Sequence, residues 1–598
     1  MADNQKKIIP INYTNREFET IRNDLLQIAE RLYPDSFQDF SEASFASLMI
    51  DAVSYVGDQL SFYLDYNVNE SFLDTAYQFN NVLRHGRILG YKHTGRPSTY
   101  GKAALFVLIP VSSTGIGPDT SYIPVLRKGT QFSTSAGLNF SLTENVDFAN
   151  PANPVVVARV DETTGAPTHY AIKGYGTVVS GTFVTERISI GAYQRFKRIA
   201  LSSANVSEII SIFDSNGNEY FEVDYLAQDI VYKEVVNSNF KNDNVPSIIK
   251  PYLVSRKFTV EREADTAYLQ FGSGKANDSN VVADPQNVAM DIHGKTYNTL
   301  KSFDPTQLTK NESFGIVPSD TTLTVTLRVT NPTNSNASSG ELNSVVSSKL
   351  EFKDRTVLAS ATVTEIRNSI EVSNEMPIVG DVRMPNSNEV KQRIYDTFPT
   401  QNRAVTQADY ENVAYRMPGK FGSIKRCSVQ RDPDSQKRNL NMYVISEDKF
   451  GKLTKTNNVI KNNLKIWLNQ YRMISDTIDI LDPYVINLGI DFSIRVNMNM
   501  DKFTTVNKCI DKLANLYESG LFIGESIMIS DIYSELKNVS GVLDVVNVRL
   551  LPKTGVNYSG VSIDINKNLS PNGNQLIVPK NAIVEIKFPA TDIRGKAK

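Results

Sequence analysis

The chain has 598 residues, 41% hydrophobic and 21% charged, with a formal net charge of −2. That is ample apolar material for several packed domains, and the near-neutral balance gives no electrostatic footprint for duplex DNA, which rewards clustered Lys and Arg through counterion release. The two cysteines, Cys427 and Cys509, fall in different predicted modules, which argues against a disulfide framework or a zinc site and fits a reducing cytoplasm. Met1 to Pro10 offers only Ile8-Ile9 as an apolar core, too short for a signal peptide. The longest apolar run, Ala103 to Val111, is interrupted by Pro110 and falls short of the roughly 20 residues that span a bilayer. A soluble chain without membrane insertion is expected.

Residues 1–97 read as a helical assembly segment. Thr14 to Glu17 fits a capping box with Tyr13 and Phe18 as a hydrophobic staple, and Phe18, Ile21, Leu25, Ile28 and Leu32 follow at helical spacing until Tyr33-Pro34. The next helix, Ser41 to Asn69, carries one narrow polar stripe: Ser47, Asp51, Ser54, Asp58, Ser61 and Asp65. Nearly everything else on it is apolar, including Phe45, Leu48, Met49, Ala52, Val53, Tyr55, Val56, Leu60, Phe62, Tyr63 and Leu64. A helix apolar around most of its circumference must be enclosed, and three unequal helices cannot bury that much surface among themselves. The segment is either a self-contained helical hairpin domain or, the reading preferred here, part of an intermolecular bundle with partner helices from other chains on Phe18, Ile21, Leu25, Phe45, Leu48, Met49, Ala52, Tyr55, Val56, Phe62, Tyr63, Phe72 and Phe79. The aspartates of the stripe are expected to be solvated or to pair with a partner's cations. A third helix, capped by Asn69, runs through Phe72, Ala76, Phe79 and Leu83 and closes at Gly90.

The text changes at Gly95-Arg96-Pro97. Residues 98–332 form a β-rich middle region, with strands at Ala103–Ile109, Gly176–Ile190, Leu253–Val260 and Leu323–Val329. Residues 333–400 read as a linker and connecting segment. Asn331 to Gly340, rich in Asn and Ser, is a flexible loop candidate, and it and Gly95-Arg96-Pro97 are candidate joints. An α/β module follows at 401–484. Thr406-x-x-Asp409 caps its first helix, strands at Ile424–Gln430 and Leu440–Ile445 precede a second helix from Val459 to Tyr471, and a strand at Thr477–Leu481 ends it. In the C-terminal module, 485–598, Ile486, Leu488, Ile490, Phe492, Ile494 and Val496 alternate with polar residues, so one face of that strand is buried. Helices around Val506–Tyr517 and Ser530–Val539 lead to a strand at Val542–Leu550. The fold class is multidomain α+β: a helical bundle segment, β-rich middle domains and C-terminal α/β sandwich modules.

Motifs that carry chemistry are missing. Gly272-Ser273-Gly274-Lys275 lacks the leading glycine of a phosphate loop, where Leu269 stands, and the hydroxyl, where Ala276 stands, so it reads as a turn between strands. Lys173-Gly174-Tyr175-Gly176 reads as a turn too. His85, His93, His169 and His293 are dispersed, and no serine sits in a nucleophile elbow. No catalytic, cofactor or metal residue is assigned, and the chain is read as a non-enzyme.

Two blocks carry a resemblance. Asp39-Phe40-Ser41-Glu42, Met49 to Asp58, Asn69 to Ala76 and Gly90-Tyr91-Lys92 resemble the N-terminal signature of the baseplate J-like family, the wedge proteins of contractile phage tails and related injection machines. Ala404 to Tyr410, Pro418-Gly419, Ile523-Gly524-Glu525 and Val539 to Val542 resemble the family's later motifs, most like the inner-ring wedge subunits of large myoviruses, while the middle is matched only by pieces such as Gln194-Arg195-Phe196 and Leu269 to Gly272. The resemblance implies a structural subunit of the virion tail, assembled in the host cytoplasm. It would form dimers in a ring around the tail tube, bundle its helices with other wedge proteins, meet the tube, hub and sheath-initiating proteins, and transmit the change that triggers sheath contraction. The β-rich middle leaves a receptor-binding adhesin as an alternative, and a tail-associated cell-wall hydrolase as a further one.

Overall fold

The computed structural model describes residues 17–32, 44–237, 247–263, 266–275, 314–330, 335–380, 385–435, 439–498, 500–518 and 520–598. The chain is a multidomain α+β protein whose contacts divide it into two units, residues 1–92 with 385–402 and residues 93–384 with 403–598. The expected capping box at Thr14 and the stop at Tyr33-Pro34 lie outside the described residues, apart from Glu17.

The first unit holds α1 (Phe18–Leu32), α2 (Phe45–Glu70), α3 (Phe79–Ile88) and α4 (Ser387–Thr400). Ser44 caps α2 by accepting the Ser47 N–H at 3.1 Å. The third helix starts later than its apolar spacing suggests. Asn69 is not its cap: α2 runs on to Glu70, and the Asn69 side chain donates to the Asp65 carbonyl at 2.8 Å. Ala76, Val82, Leu83 and Tyr91 pack with Val390 and Ile394 of α4 into a small core. Gly86 lets α4 approach, since a Cβ there would lie 2.7 Å from Ile394 Cδ1.

The second unit contains two seven-stranded sheets and two α/β modules. In the first sheet β1 (Tyr100–Pro110) pairs antiparallel along β2 (Pro167–Ser180), from Tyr100↔Val179 to Pro110↔His169. Its core holds Leu105, Val107, Ile109, Phe132, Phe140 and Ile172. The Lys173 to Gly176 run is not a turn. It lies inside β2, where a Cβ on Gly176 would meet Leu142 Cδ1 at 2.7 Å and one on Gly174 would meet Val146 Cγ1 at 2.9 Å. The expected strand Gly176–Ile190 is divided at Gly181, whose φ of +109° turns the chain from β2 into β3 (Thr182–Ile190) and the second sheet. There β5 (Thr321–Val329) lies between β3 and β4 (Val206–Phe213). The expected strand Leu253–Val260 is likewise two strands, Ser247–Leu253 and Lys257–Arg262. The first pairs with Ile230–Val236 in a separate two-stranded ribbon.

Gly272 follows the strand Ala267–Phe271 at a close backbone crossing, where a Cβ would fall 1.8 Å from the Phe314 carbonyl oxygen. The candidate joint at Gly95-Arg96-Pro97 is not a free hinge. Gly419 N donates to the Thr94 carbonyl and Ser98 N to the Gly419 carbonyl, both at 3.0 Å, which pins the Gly95-Arg96-Pro97 segment. Of Asn331 to Gly340, residues 331–334 lie outside the described residues, and the rest is tied down. The Ser335 carbonyl accepts from Thr99 Oγ1 at 2.9 Å, and Asn336 Nδ2 donates to the Gly380 and Glu447 carbonyls. Residues 333–400 also supply the strands Leu342–Ser347 and Glu371–Ser373 and a helix, Ser360–Asn368.

The first α/β module sets α5 (Gln407–Tyr415) and α6 (Asn458–Leu468) on a sheet that includes β6 (Asn439–Glu447), β7 (Leu453–Lys455) and β8 (Thr477–Leu481). Thr406 and Asp409 form the anticipated capping box of α5. The terminal module is built on β9 (Tyr484–Val496), antiparallel to β10 (Val542–Pro552) and parallel to β11 (Ala582–Glu585) and β12 (Ile593–Ala597). The alternation seen in the sequence is its core face: Ile486, Leu488, Ile490, Phe492, Ile494 and Val496 are all buried, with Cys509 and Leu513 of α7 (Lys502–Leu516) and Ile532 and Leu536 of α8 (Ile529–Lys537) in the same core.

Candidate assembly surface

α1 and α2 pack together in an orientation that inverts the usual arrangement. The polar stripe of α2 faces α1: Ser47 and Ser54 are buried, Arg22 of α1 pairs with Asp51 at 2.6 Å, and the same guanidinium donates to Ser47 Oγ at 3.4 Å. Ser54 satisfies its buried hydroxyl by donating to the Ile50 carbonyl at 2.7 Å. Small side chains make the approach possible, since at Gly57 a Cβ would already lie 3.2 Å from Ile21 Cδ1. Asp51 thus takes its cation from Arg22 of the same chain while 39% of its side chain stays exposed to solvent.

The apolar circumference is left outside. Phe45 is 75% exposed, Leu48 61% and Phe62 62%, and Met49, Ala52, Val53, Tyr55, Val56, Leu60, Tyr63 and Leu64 are exposed as well. Phe62 stacks on Tyr66 at 6.2 Å between ring centroids and meets Tyr63 edge-on at 5.8 Å, a continuous aromatic strip. Of the other anticipated interface residues, Phe72 is exposed, while Phe18, Ile21 and Leu25 are half-buried. Phe79 is half-buried and packs against the core of α3 and α4. Contiguous apolar surface on this scale marks an interaction site.

Glu70 fixes the base of this surface, a role its sequence position gave no signal for. Its carboxylate accepts from Tyr77 N at 2.7 Å, Gln78 N at 3.1 Å and Asn81 Nδ2 at 2.8 Å, doing for α3 what Gln78, its N-cap residue, does not. His85 Nε2 donates to the Glu70 carbonyl at 2.9 Å, so its ring is committed to structure. Burial works to raise the Glu70 carboxyl, but the hydrogen bonds from Asn81, Tyr77 and Gln78 and the charge of Lys391 outweigh it and hold the group below its ordinary value. On the neighbouring turn, the Asp74 carbonyl accepts from Lys391 Nζ at 2.8 Å and its carboxylate from the Tyr395 hydroxyl, tying down α4.

The other residues considered for chemistry are scattered. His169 faces Glu365 at 3.4 Å, and His293 lies outside the described residues. Cys427 and Cys509 are buried free thiols, and burial pushes Cys509 up to about 11. Among the described residues no group of three or more His, Cys, Asp or Glu is placed to hold a metal ion, and no helix is long and apolar enough to cross a membrane.

The α1 to α3 segment is where known proteins meet this chain. Residues 17–88 match the family model described as the N-terminal domain of bacteriophage baseplate protein. No curated protein sequence matches. Among solved structures, one titled as the anti-feeding prophage baseplate is 10% identical over 97% of this chain and 98% of its own, with a TM-score of 0.25. Another, titled as the TssK-TssF-TssG baseplate subcomplex of the type VI secretion system, is 7% identical over 73% of this chain and 96% of its own, with a TM-score of 0.22. Superpositions at these scores do not define a common fold.

Proposed function

We propose that this chain is a structural subunit of the tail baseplate of a contractile-tailed phage, acting through assembly and without a reaction of its own. The observation that carries this reading is the inverted α1–α2 pair, in which the polar stripe of α2 is used internally and its apolar circumference is left for other chains. The family match over 17–88, which covers the same helices, supports it. In this reading the subunit belongs to the baseplate wedge. It bundles α2 with helices of other wedge proteins, associates with a second copy of itself, and joins an inner ring around the tail tube beside the hub and sheath-initiating proteins. The ring relays the change that triggers sheath contraction. Among the described residues, no observation in the β-rich sheets favours the adhesin or hydrolase readings.

Leu48 and Tyr55 test it. Replacing both by Asp leaves the free chain intact, because both side chains are already exposed, whereas in a closed bundle two buried charges cost several kcal/mol, on the order of the penalty for unpaired buried ions. Co-expression with the other wedge proteins followed by size exclusion should show the double variant folded by circular dichroism but excluded from complexes. Normal co-purification would remove the bundle from the model.

A further inference from the structure

We infer that the terminal module, residues 484–598, is a hinged body that rotates on the first α/β module about Asp482-Pro483. This rests on the joint itself and not on the assembly role proposed above. The two modules share no sheet: β6, β7 and β8 belong to one and β9 to β12 to the other. The terminal module has a complete core of its own around β9, while the core around Met442, Val444, Ile460 and Leu464 also takes in Tyr100 and Val179 of the first sheet and none of the residues of β9. A single covalent crossing joins them, the two residues between Leu481 and Tyr484. Pro483 has a fixed φ, and Asp482 pairs with Lys461 at 2.7 Å, so turning falls on the remaining backbone torsions of this short crossing.

The contact across the joint is thin. Ile445 of the first module meets Ile523 and Ile583 of the terminal module in a small apolar pin, with Tyr443, Leu453 and Val485 packed against it, and Lys452 Nζ lies 5.6 Å from the centroid of the Phe588 ring. Arg426 lies over the Phe522 ring with its guanidinium carbon 4.5 Å from the centroid, and Gln430 Nε2 donates to the Lys580 carbonyl. Beside the pin is a cavity of about 310 Å³ with walls from both modules, including Lys425, Phe450 and Lys452 on one side and Tyr517, Leu521 and Glu585 on the other. This space opens to solvent, so along it the two modules are not packed on each other. Glu585 works as the latch. From β11 its carboxylate accepts Leu453 N of β7 at 2.8 Å across the joint, while Asn487 Nδ2 of its own module donates to it at 2.8 Å. Turning the module releases the first bond and keeps the second.

The test uses the full chain with spin labels at Lys465→Cys on α6 and Asp511→Cys on α7, both exposed helical positions, read by pulsed dipolar spectroscopy. A control pair, Asp511→Cys with Asp544→Cys, stays inside the terminal module. A hinged joint gives an inter-module distance distribution about twice the width of the control, in keeping with collective domain motion. Glu585→Ala should broaden it further and speed exchange of the Leu453 amide on the order of tenfold, with amides in the centre of β9 unchanged. An inter-module distribution as narrow as the control, indifferent to Glu585→Ala, would overturn the hinge. Should Glu585→Ala lose the β9 protection that shows the module is folded, Gln430→Ala removes a different crossing bond and is read against the same two outcomes.

Discussion

Glu70 and Glu585 are both largely buried carboxylates that accept backbone N–H groups, yet their environments drive them in opposite directions. At Glu70 the hydrogen bonds and Lys391 win over burial, and the carboxyl is held low. At Glu585 burial dominates the bonds from Leu453 and Asn487 and the charges of Lys587 and Lys452, and the carboxyl is pushed up. The signs of the linkage follow. A lowered carboxyl contributes stability that is present above its unfolded value and lost as pH falls through the folded one. A raised carboxyl contributes most below its unfolded value and loses that contribution as pH climbs through the folded one. Mild acid should therefore loosen the base of α3 while it relieves the buried charge of Glu585 in the terminal module. Residue-resolved hydrogen exchange at neutral and acid pH, corrected for intrinsic rates, should show Tyr77 and Gln78 losing protection while amides in the centre of β9 hold or gain it, and loss at both places would contradict the assignment. Gly176 gives a simpler case. Gly176→Val would force a branched side chain onto Leu142 and Val146 in the middle of β2, and overpacking of that kind costs about 1–3 kcal/mol, visible as a lower denaturation midpoint.

At the scale of the element, the sequence was most informative where one face of an element meets one core. The strand at Ile486–Val496 is legible because period-two alternation and burial coincide along β9, and the cap of α5 is legible because Thr406 and Asp409 act within one turn. The orientation of α2 was hidden for the same physical reason in reverse. Periodicity divides a helix into faces, but it does not say which face a neighbour takes, and here a short helix with Arg22 chose the polar one. The start of α3 was misplaced because its cap comes from Glu70, eight residues before Gln78 in the chain, and not from a local Ser, Asn or Asp. The two β2 glycines read as a turn because their reason, the side chains of Leu142 and Val146 above them, is distant in sequence. The packing of α1 on α2 makes its own forecast. Ser54→Leu places a large side chain where a fully buried serine now permits close approach, so α1 should undock at a cost of about 1–3 kcal/mol. Rapid proteolysis within α1, with α3 and α4 still protected, is the expected outcome, and unchanged protection of α1 would refute the small-residue seam.

For the whole molecule, separate cores mean separate stabilities. The terminal module is joined to its neighbour by a single crossing and a thin contact, so calorimetry of the chain should not fit one two-state transition. A chain ending after Pro483 should retain the remaining transitions almost unshifted, and a collapse of all of them would show that the terminal module is structurally required elsewhere. The outward-facing apolar surface of α2 has a different kind of consequence, one of supply. In the assembly proposed above, a chain that displays Phe45, Leu48, Tyr55 and Phe62 to water is a sticky intermediate as long as it is alone, and its lifetime in that state is set by how soon its neighbours are made. Synthesis in excess of those neighbours would send it into aggregates, so the proportion and timing of its production are constrained by one helix.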